Sequence, residues 1–132
     1  MRTYVKMIDQ REVVFQTAGH GARDIKKNNV SSKEIEKIIS FCIQKSVGKL
    51  SKLSMPNIEK YGLDATLYLV KVDQVARAIV SIDDDALFNQ EIITLYAFSR
   101  DHNIKKMIRN TSESFFQEIK SYLESEVNRY AD

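Results

Sequence analysis

Short runs of β-branched and aromatic residues open the chain. Residues 3–8 (Thr-Tyr-Val-Lys-Met-Ile) and 12–17 (Glu-Val-Val-Phe-Gln-Thr) lie on either side of Asp9-Gln10. Runs of this kind around a short turn are typical of β-strands, so the pattern predicts a strand or a hairpin here. The following Ala18-Gly19-His20-Gly21 indicates a flexible turn. For residues 22–29, the pattern is compatible with either a loop or a short helix.

The clearest helical pattern begins at Ser31. Ser31 and Glu34 have the Ser-x-x-Glu spacing of a capping box, in which each side chain accepts a hydrogen bond from a free backbone N–H. Apolar residues then recur at steps of three and four. They are Ile35, Ile38, Ile39, Cys42, Ile43, Val47, Leu50 and Leu53. We expect one long amphipathic helix that ends at Met55-Pro56, since the residue before a proline disfavours the α conformation.

Three β-prone segments follow, at residues 66–72, 75–82 and 91–98. Asp73-Gln74 is compatible with a tight turn, and Asp83-Asp84-Asp85 with a longer loop. The connections are too short for crossover helices, so the segments predict an antiparallel meander. A helix is expected from residue 110 or 111 onward, and a separate short helix at 104–108 stays open. The fold class is therefore α+β, an antiparallel meander packed on amphipathic helices in the order β(β)-α-β-β-β-α, with residues 1–132 as one domain.

Composition excludes several classes of protein. With 43% hydrophobic and 29% charged residues, the chain is globular in type, and it has no apolar run long enough to cross a bilayer. The N-terminus lacks the apolar core of a signal peptide, and Cys42 is the single cysteine, so we expect a cytoplasmic protein with no membrane partner. No glycine-rich phosphate loop or dinucleotide motif is present. Two separated histidines and one cysteine argue against a metal site, and we expect no cofactor.

Charge is distributed unevenly along the chain. Residues 1–60 carry 12 Lys/Arg and 6 Asp/Glu, a net charge of +6, whereas residues 61–132 carry 8 and 12, a net charge of −4. A basic half suggests a phosphate-bearing or acidic partner. The alternative is that the charges belong to ordinary solvated helix faces.

Three cations on the meander are the candidate chemistry. Because alternate residues of a strand share a face, Lys71 lies with Leu67 and Leu69, and Arg77 with Ile79. Arg100, two residues after Phe98, continues the alternation of Ile92, Thr94 and Tyr96. On a concave sheet, Lys71, Arg77 and Arg100 would converge. The alternative is that each is a separate surface charge whose stem lies along the sheet.

The meander resembles a known family. Its segments are Leu67-Tyr68-Leu69-Val70-Lys71-Val72, Val75-Ala76-Arg77-Ala78-Ile79-Val80-Ser81-Ile82, an acidic loop, and Ile92-Ile93-Thr94-Leu95-Tyr96-Ala97-Phe98-Ser99-Arg100-Asp101-His102. Over residues 31–109 this order is similar to the C-terminal half of RelE/ParE-superfamily toxins of bacterial toxin–antitoxin systems. The resemblance implies antiparallel strands packed on helices and, for the RelE branch, a ribonuclease that cuts messenger RNA on the ribosome.

The resemblance also implies roles for residues. Lys71, Arg77, Arg100 and His102 would be catalytic, with the two arginines holding phosphate and Lys71 or His102 moving the proton. Tyr96, Lys105 and Lys106 would bind substrate. The expected function is a metal-independent endoribonuclease toxin acting on mRNA, with the ribosome as a further partner and an acidic antitoxin as the neutralising one. The alternatives are a non-enzymatic toxin, as in the gyrase-directed ParE branch, an interaction module, or an accessory protein that uses the sheet only as a scaffold.

Two further residues carry side chains that often react or bind. His20 lies between two glycines, which would let a ligand approach the backbone, but a turn histidine without a role is the simpler interpretation. Cys42 belongs to the apolar stripe of the predicted helix, so we expect it in the core.

Overall fold

The computed structural model of the protein describes residues 4–60 and 65–130, with side chains for all of these except 57 and 127–130. The strands are β1 (Tyr4–Ile8), β2 (Arg11–Thr17), β3 (Leu50–Lys52), β4 (Tyr68–Lys71), β5 (Arg77–Asp85) and β6 (Gln90–Ser99). The helices are α1 (Gly21–Lys27), α2 (Ser32–Gln44), α3 (Pro56–Lys60) and α4 (Ile104–Tyr130). The strands form one sheet in the order β1-β2-β6-β5-β4-β3. The predicted α+β class is confirmed.

The N-terminal hairpin is present where the pattern predicts it. Strands β1 and β2 pair antiparallel, and Ile8 is the register partner of Arg11. Asp9 and Gln10 form the two-residue turn with positive φ angles of 50° and 64°. Such angles match the right-handed twist of the flanking strands, and aspartate tolerates them better than most residues. Position 3 of the predicted strand lies outside the described residues.

The antiparallel meander β4-β5-β6 is also confirmed. Asp73 closes the first turn, because its carboxylate accepts hydrogen bonds from the backbone N–H groups of Val75 and Ala76, at 2.8 and 2.7 Å. Residues 83–85 do not form the expected loop: they complete β5, and the turn to β6 spans residues 86–89. The sheet extends beyond the meander, since β2 pairs with β6 in parallel.

Helix α2 begins as predicted and ends earlier. Ser31 and Glu34 make both hydrogen bonds of the capping box. The helix ends at Gln44, because Lys45 adopts a left-handed conformation (φ 49°, ψ 52°). Val47 is 99% exposed, and Leu50 starts strand β3, which pairs with β4. The predicted continuation to Met55 is therefore wrong. Pro56 starts α3, a position where its missing N–H costs nothing.

Helix α4 is one continuous helix from Ile104, so the separate helix at 104–108 does not occur, and the predicted start at 110 or 111 is too late. Residues 21–27 do form a helix, α1. Apolar residues of this helix recur at helical spacing as far as position 127, whose side chain lies outside the described residues.

The sheet has a buried core on each face. On one face, called here the α2 face, Ile38, Ile39 and Cys42 of α2 pack on residues that include Val13, Val70, Ala78 and Leu95. On the opposite face, the α4 face, Phe115 of α4 and Ile58 of α3 pack on Leu67, Ile79 and Ala97. Because the strands between them are covered on both sides, the functional side chains emerge at the ends of the sheet.

Candidate nucleic-acid interface

Lys71 and Arg77 lie side by side at one end of the sheet. They are register partners across β4 and β5. Their neighbours Val70, Ala76 and Ala78 are buried in the core on the α2 face. Strand alternation therefore directs Lys71 and Arg77 to the α4 face. Lys71 is exposed, and the partly buried Arg77 guanidinium donates to the backbone carbonyl oxygens of Asp73 and Ala76.

A β-bulge in strand β6 changes which face Arg100 occupies. Ile79 pairs with Ala97 and Val80 pairs with Leu95, so Tyr96 is an extra residue on β6. One extra residue reverses the alternation beyond it. Tyr96 packs on the α4 face, whereas Phe98 is buried on the α2 face. Arg100 shares the side of Phe98, and the predicted alternation that placed it with Tyr96 is wrong.

Arg100 is held by the helices of the α2 face. Its Nη1 and Nη2 atoms donate to Oε2 and Oε1 of Glu34 at 2.6 and 2.7 Å, and Nε and Nη2 donate to the backbone oxygen of Asn28 at 3.3 and 3.2 Å. The guanidinium also lies over the Phe98 ring, 5.0 Å from its centroid. The hydrogen bonds between Arg100 and Glu34 lower the pKa of Glu34 and raise that of Arg100. These contacts connect β6 to α1 and α2. The expected convergence of Lys71, Arg77 and Arg100 in one hollow is therefore wrong.

Tyr96 is a packing residue of the α4 face. Its ring meets that of Phe115 edge to face, with centroids 5.2 Å apart and planes at 71°. Burial raises the pKa of its phenol, and the nearby Ser81 side chain opposes this shift. The ring therefore helps to dock α4 on the sheet, which leaves it poorly placed for the predicted stacking on a base.

Further cations gather where the sheet ends and α4 begins. Arg77 is the register partner of Ser99, the last residue of β6, and α4 starts shortly after it. The C-terminal end of α1 lies at the same place, because the Asn28 Nδ2 atom donates to the Phe98 carbonyl oxygen. We call the resulting surface the basic rim. It comprises Lys27, Lys71, Arg77, His102, Lys105 and Lys106, all exposed except the partly buried Arg77.

The N-terminus of α4 adds to the positive potential of the basic rim. Lys105 and Lys106 lie in its first turn, which contains no acidic residue. A helix N-terminus already carries about half a positive charge, and lysines there are unfavourable for helix stability. The placement of these two lysines therefore concentrates positive charge without benefit to α4 itself.

Acidic residues gather at the opposite end of the sheet. Asp83, Asp84 and Asp85 end strand β5, and Asp84 is the register partner of Glu91. Arg11 forms ion pairs with Asp84 and Glu91. Desolvation raises the pKa of Asp83. Three consecutive aspartates thus lie at this end together with Arg11 and Lys45, whereas the exposed Asp73 and Asp101 lie at the end that carries the basic rim.

A polar cleft opens beside the basic rim, between α1 and α4. Its volume is about 390 Å³. It is lined by Asp24, Lys27, Asn28, Phe98, Ser99, Asp101, Asn103, Lys106, Met107 and Asn110. The sequence interpretation missed Lys27 and the three asparagines, since they come from segments about 75 residues apart and belong to no motif.

The glycines beside His20 serve packing. A Cβ atom on Gly21 would lie 2.1 Å from the carbonyl oxygen of Leu95, so only glycine lets α1 start this close to β6. Gly19 has a positive φ of 55°. These glycines therefore allow α1 to start close to β6. This favours the interpretation of His20 as a turn residue without a role.

Within the part of the chain that the structure describes, no three His, Cys, Asp or Glu side chains are grouped so that they could hold a metal ion. In the same residues, no helix combines the length and apolarity needed to cross a membrane. No protein-family model, curated protein or solved structure matches the chain.

Proposed function

We propose that the protein binds RNA through the basic rim, as a toxin of the RelE/ParE type acting on messenger RNA. The observation that carries the proposal is the concentration of Lys71, Arg77, Lys105 and Lys106 at the end of the sheet where α4 begins, opposite the acidic end. Such a surface attracts a phosphate backbone and orients it relative to the protein.

The proposal places Arg100 outside the binding surface. Its guanidinium donors point to Glu34 and Asn28, so few remain for phosphate oxygens. Lys71, Lys105 and Lys106 are different, because no hydrogen bond or ion pair joins their side chains to any other side chain that the structure describes. Exposed lysines of this kind can exchange water for phosphate at little cost.

Fluorescence anisotropy with a labelled single-stranded RNA tests the proposal. Each phosphate contact adds about 0.7 to the magnitude of the slope of log K against log salt, measured between about 50 and 200 mM. Lys71→Gln/Arg77→Gln and Lys105→Gln/Lys106→Gln should each reduce that magnitude by about 1.4. The charge-matched control Lys52→Gln/Lys120→Gln removes two lysines away from the rim and should leave the slope unchanged. Equal slopes in all variants would reject the proposal.

Metal-independent cleavage is the second candidate function. It is favoured by the register pairing of Lys71 with Arg77 and by an exposed His102 at the same end. RNA supplies its own nucleophile, the 2′-hydroxyl. His102 or Lys71 would remove its proton as the 2′-oxygen bonds to phosphorus, and would return the proton to the departing 5′-oxygen as the bond between phosphorus and that oxygen breaks. Arg77 would stabilise the charge that develops on the phosphate oxygens. The products would be a 2′,3′-cyclic phosphate and a free 5′-hydroxyl.

Incubation of end-labelled RNA with EDTA present, with and without ribosomes, tests cleavage separately from binding. Activity should disappear in Arg77→Ala and persist in Arg100→Lys. Binding without turnover would leave the first proposal standing and favour a non-enzymatic toxin. An acidic antitoxin is the partner that fits the basic rim, and it should compete with RNA for it.

A further inference from the structure

We propose that the polar cleft between α1 and α4 holds one adenine base of the bound RNA and makes the protein prefer adenosine. This inference rests on the proposed RNA-binding function and goes beyond it, because the basic rim alone recognises only the sugar–phosphate backbone. The cleft adjoins the rim and shares Lys27 and Lys106 with it. Its volume of about 390 Å³ is within the range of small-ligand sites.

One wall of the cleft is fixed by internal hydrogen bonds. The Asn28 Nδ2 atom donates to the backbone oxygens of Asp24 and Phe98, at 2.9 and 3.2 Å. The Asp24 carboxylate accepts from the Phe98 backbone N–H at 3.0 Å. From outside the cleft, the Arg100 guanidinium donates to the carbonyl oxygen of Asn28 in the same wall. These bonds fix Asn28 and Asp24 against the end of β6.

The other wall offers polar groups without protein partners. Four residues just before and within the first turns of α4 face the cleft. Their spacings of three, four and seven place them along one side of the helix. They are Asn103, Lys106, Met107 and Asn110. Among the residues described here, the side-chain amides of Asn103 and Asn110 and the ammonium groups of Lys27 and Lys106 make no hydrogen bond or ion pair. These groups remain available to a ligand.

The chemistry of this wall matches adenine. An asparagine amide can donate to N7 and accept from the N6 amino group of adenine at the same time. The carboxylate of Asp101 accepts from amino groups and disfavours the carbonyl oxygens that guanine and uracil carry at the equivalent positions. Met107 provides an apolar contact for the flat face of a base, and Lys27 and Lys106 can hold its phosphate. Single-stranded RNA can place an unstacked base in such a cleft.

Two RNA decamers test the inference by anisotropy, one of uridines only and one with a single central adenosine. The wild-type protein should bind the adenosine-containing strand about tenfold more tightly, as one bidentate amide contact allows. Asn103→Ala/Asn110→Ala, which keeps all charges, should remove this preference and leave the affinity for oligouridine unchanged. Gln44→Ala/Gln117→Ala removes two exposed amides elsewhere and should keep the preference.

Variants of the basic rim separate the two proposals. Lys71→Gln/Arg77→Gln should weaken both strands by the same factor and preserve their ratio. Equal wild-type affinity for the two strands, or a preference that survives Asn103→Ala/Asn110→Ala, would overturn the inference while RNA binding stands.

Titration with AMP and UMP, followed by NMR of the side-chain amides, distinguishes a free nucleotide from RNA as the source of the adenine. Shifts of Asn103 and Asn110 with AMP but not UMP, when neither strand binds, would overturn the proposed RNA function and an adenine of bound RNA as the occupant. The cleft would then be a site for a free adenine nucleotide. Absence of both strand binding and AMP shifts would overturn both proposals.

Discussion

Arg100 forms a bidentate ion pair with Glu34, with both N–O distances below 2.8 Å, although the two residues are 66 positions apart. Glu34 is also the reciprocal partner of Ser31 in the capping box. One carboxylate therefore caps helix α2 and anchors the end of strand β6. Arg100, for which the resemblance to RelE/ParE toxins implied a catalytic role, therefore connects the sheet to the helices.

We expect the Arg100–Glu34 pair to stabilise the fold by a measurable coupling energy. The side chains are 36% and 20% exposed, so solvent screens the pair in part. A coupling of about 1 kcal/mol is expected for a bidentate pair of this kind. Urea unfolding of Arg100→Gln, Glu34→Gln and the double variant gives this value directly. Strictly additive effects of the two single changes would show that the pair contributes nothing.

The same variants separate a structural from a binding role for Arg100. Folded Arg100→Gln protein should bind RNA with the wild-type salt dependence, whereas Lys71→Gln/Arg77→Gln protein should not. If Arg100→Gln protein lost RNA binding while circular dichroism showed an intact fold, Arg100 would belong to the binding surface.

Acid should weaken the fold through Glu34. Its pKa lies below the ordinary value of 4.5, chiefly because Arg100 hydrogen-bonds to the charged form. A carboxyl whose pKa is lower in the folded state stabilises it above the unfolded value and loses this contribution as pH falls through the folded value. The free energy of unfolding should therefore decrease as the pH falls below about 4.5, and Glu34→Gln should reduce that decrease. Urea midpoints at about pH 7 and pH 3 measure the effect. Identical pH dependence in wild type and variant would contradict it.

Gly21 should not tolerate a side chain. A Cβ atom there would lie 2.1 Å from the Leu95 carbonyl oxygen and 3.2 Å from the Cβ atom of Thr17, so α1 or β6 must shift. We expect Gly21→Ala to lower the free energy of unfolding by about 3 kcal/mol, at the upper end for overpacking. Gly48→Ala is the control: φ is +79° and no atom lies within 4 Å, so only backbone strain of about 1–2 kcal/mol is added. Equal losses in the two variants would mean that the close approach is easily relieved.

The Cys42 thiol should be inert until the protein unfolds. It is fully buried, and burial together with the nearby Glu91 charge raises its pKa to about 12. Since the thiolate is the reactive form, labelling by a disulfide reagent at about pH 8 should proceed only through opening of the fold. Val47→Cys/Cys42→Ala places a thiol at a position that is 99% exposed and should label at once. Rapid labelling of Cys42 in the native protein would show that α2 opens readily.

Local patterns account for the elements predicted correctly. The capping box at Ser31 and Glu34, the hairpin turn at Asp9-Gln10 and the alternation in the meander depend on residues close in sequence. The end of α2 was less predictable. Val47, Leu50 and Leu53 continue the helical spacing, yet Leu50 pairs with Val70 of β4, a strand that lies beyond residue 65.

The sequence by itself determined the α+β class, the antiparallel order of the meander and the alternation that places Lys71 with Leu69 and Arg77 with Ile79, because each follows from the spacing of neighbouring residues. Only the tertiary structure decided the face of Arg100, the parallel pairing of β2 with β6 and the cleft between α1 and α4. A single extra residue at Tyr96 reverses every later side chain of its strand, and its position depends on how β5 and β6 fit together. Contacts between segments far apart in the chain therefore determine which cations lie on the same surface.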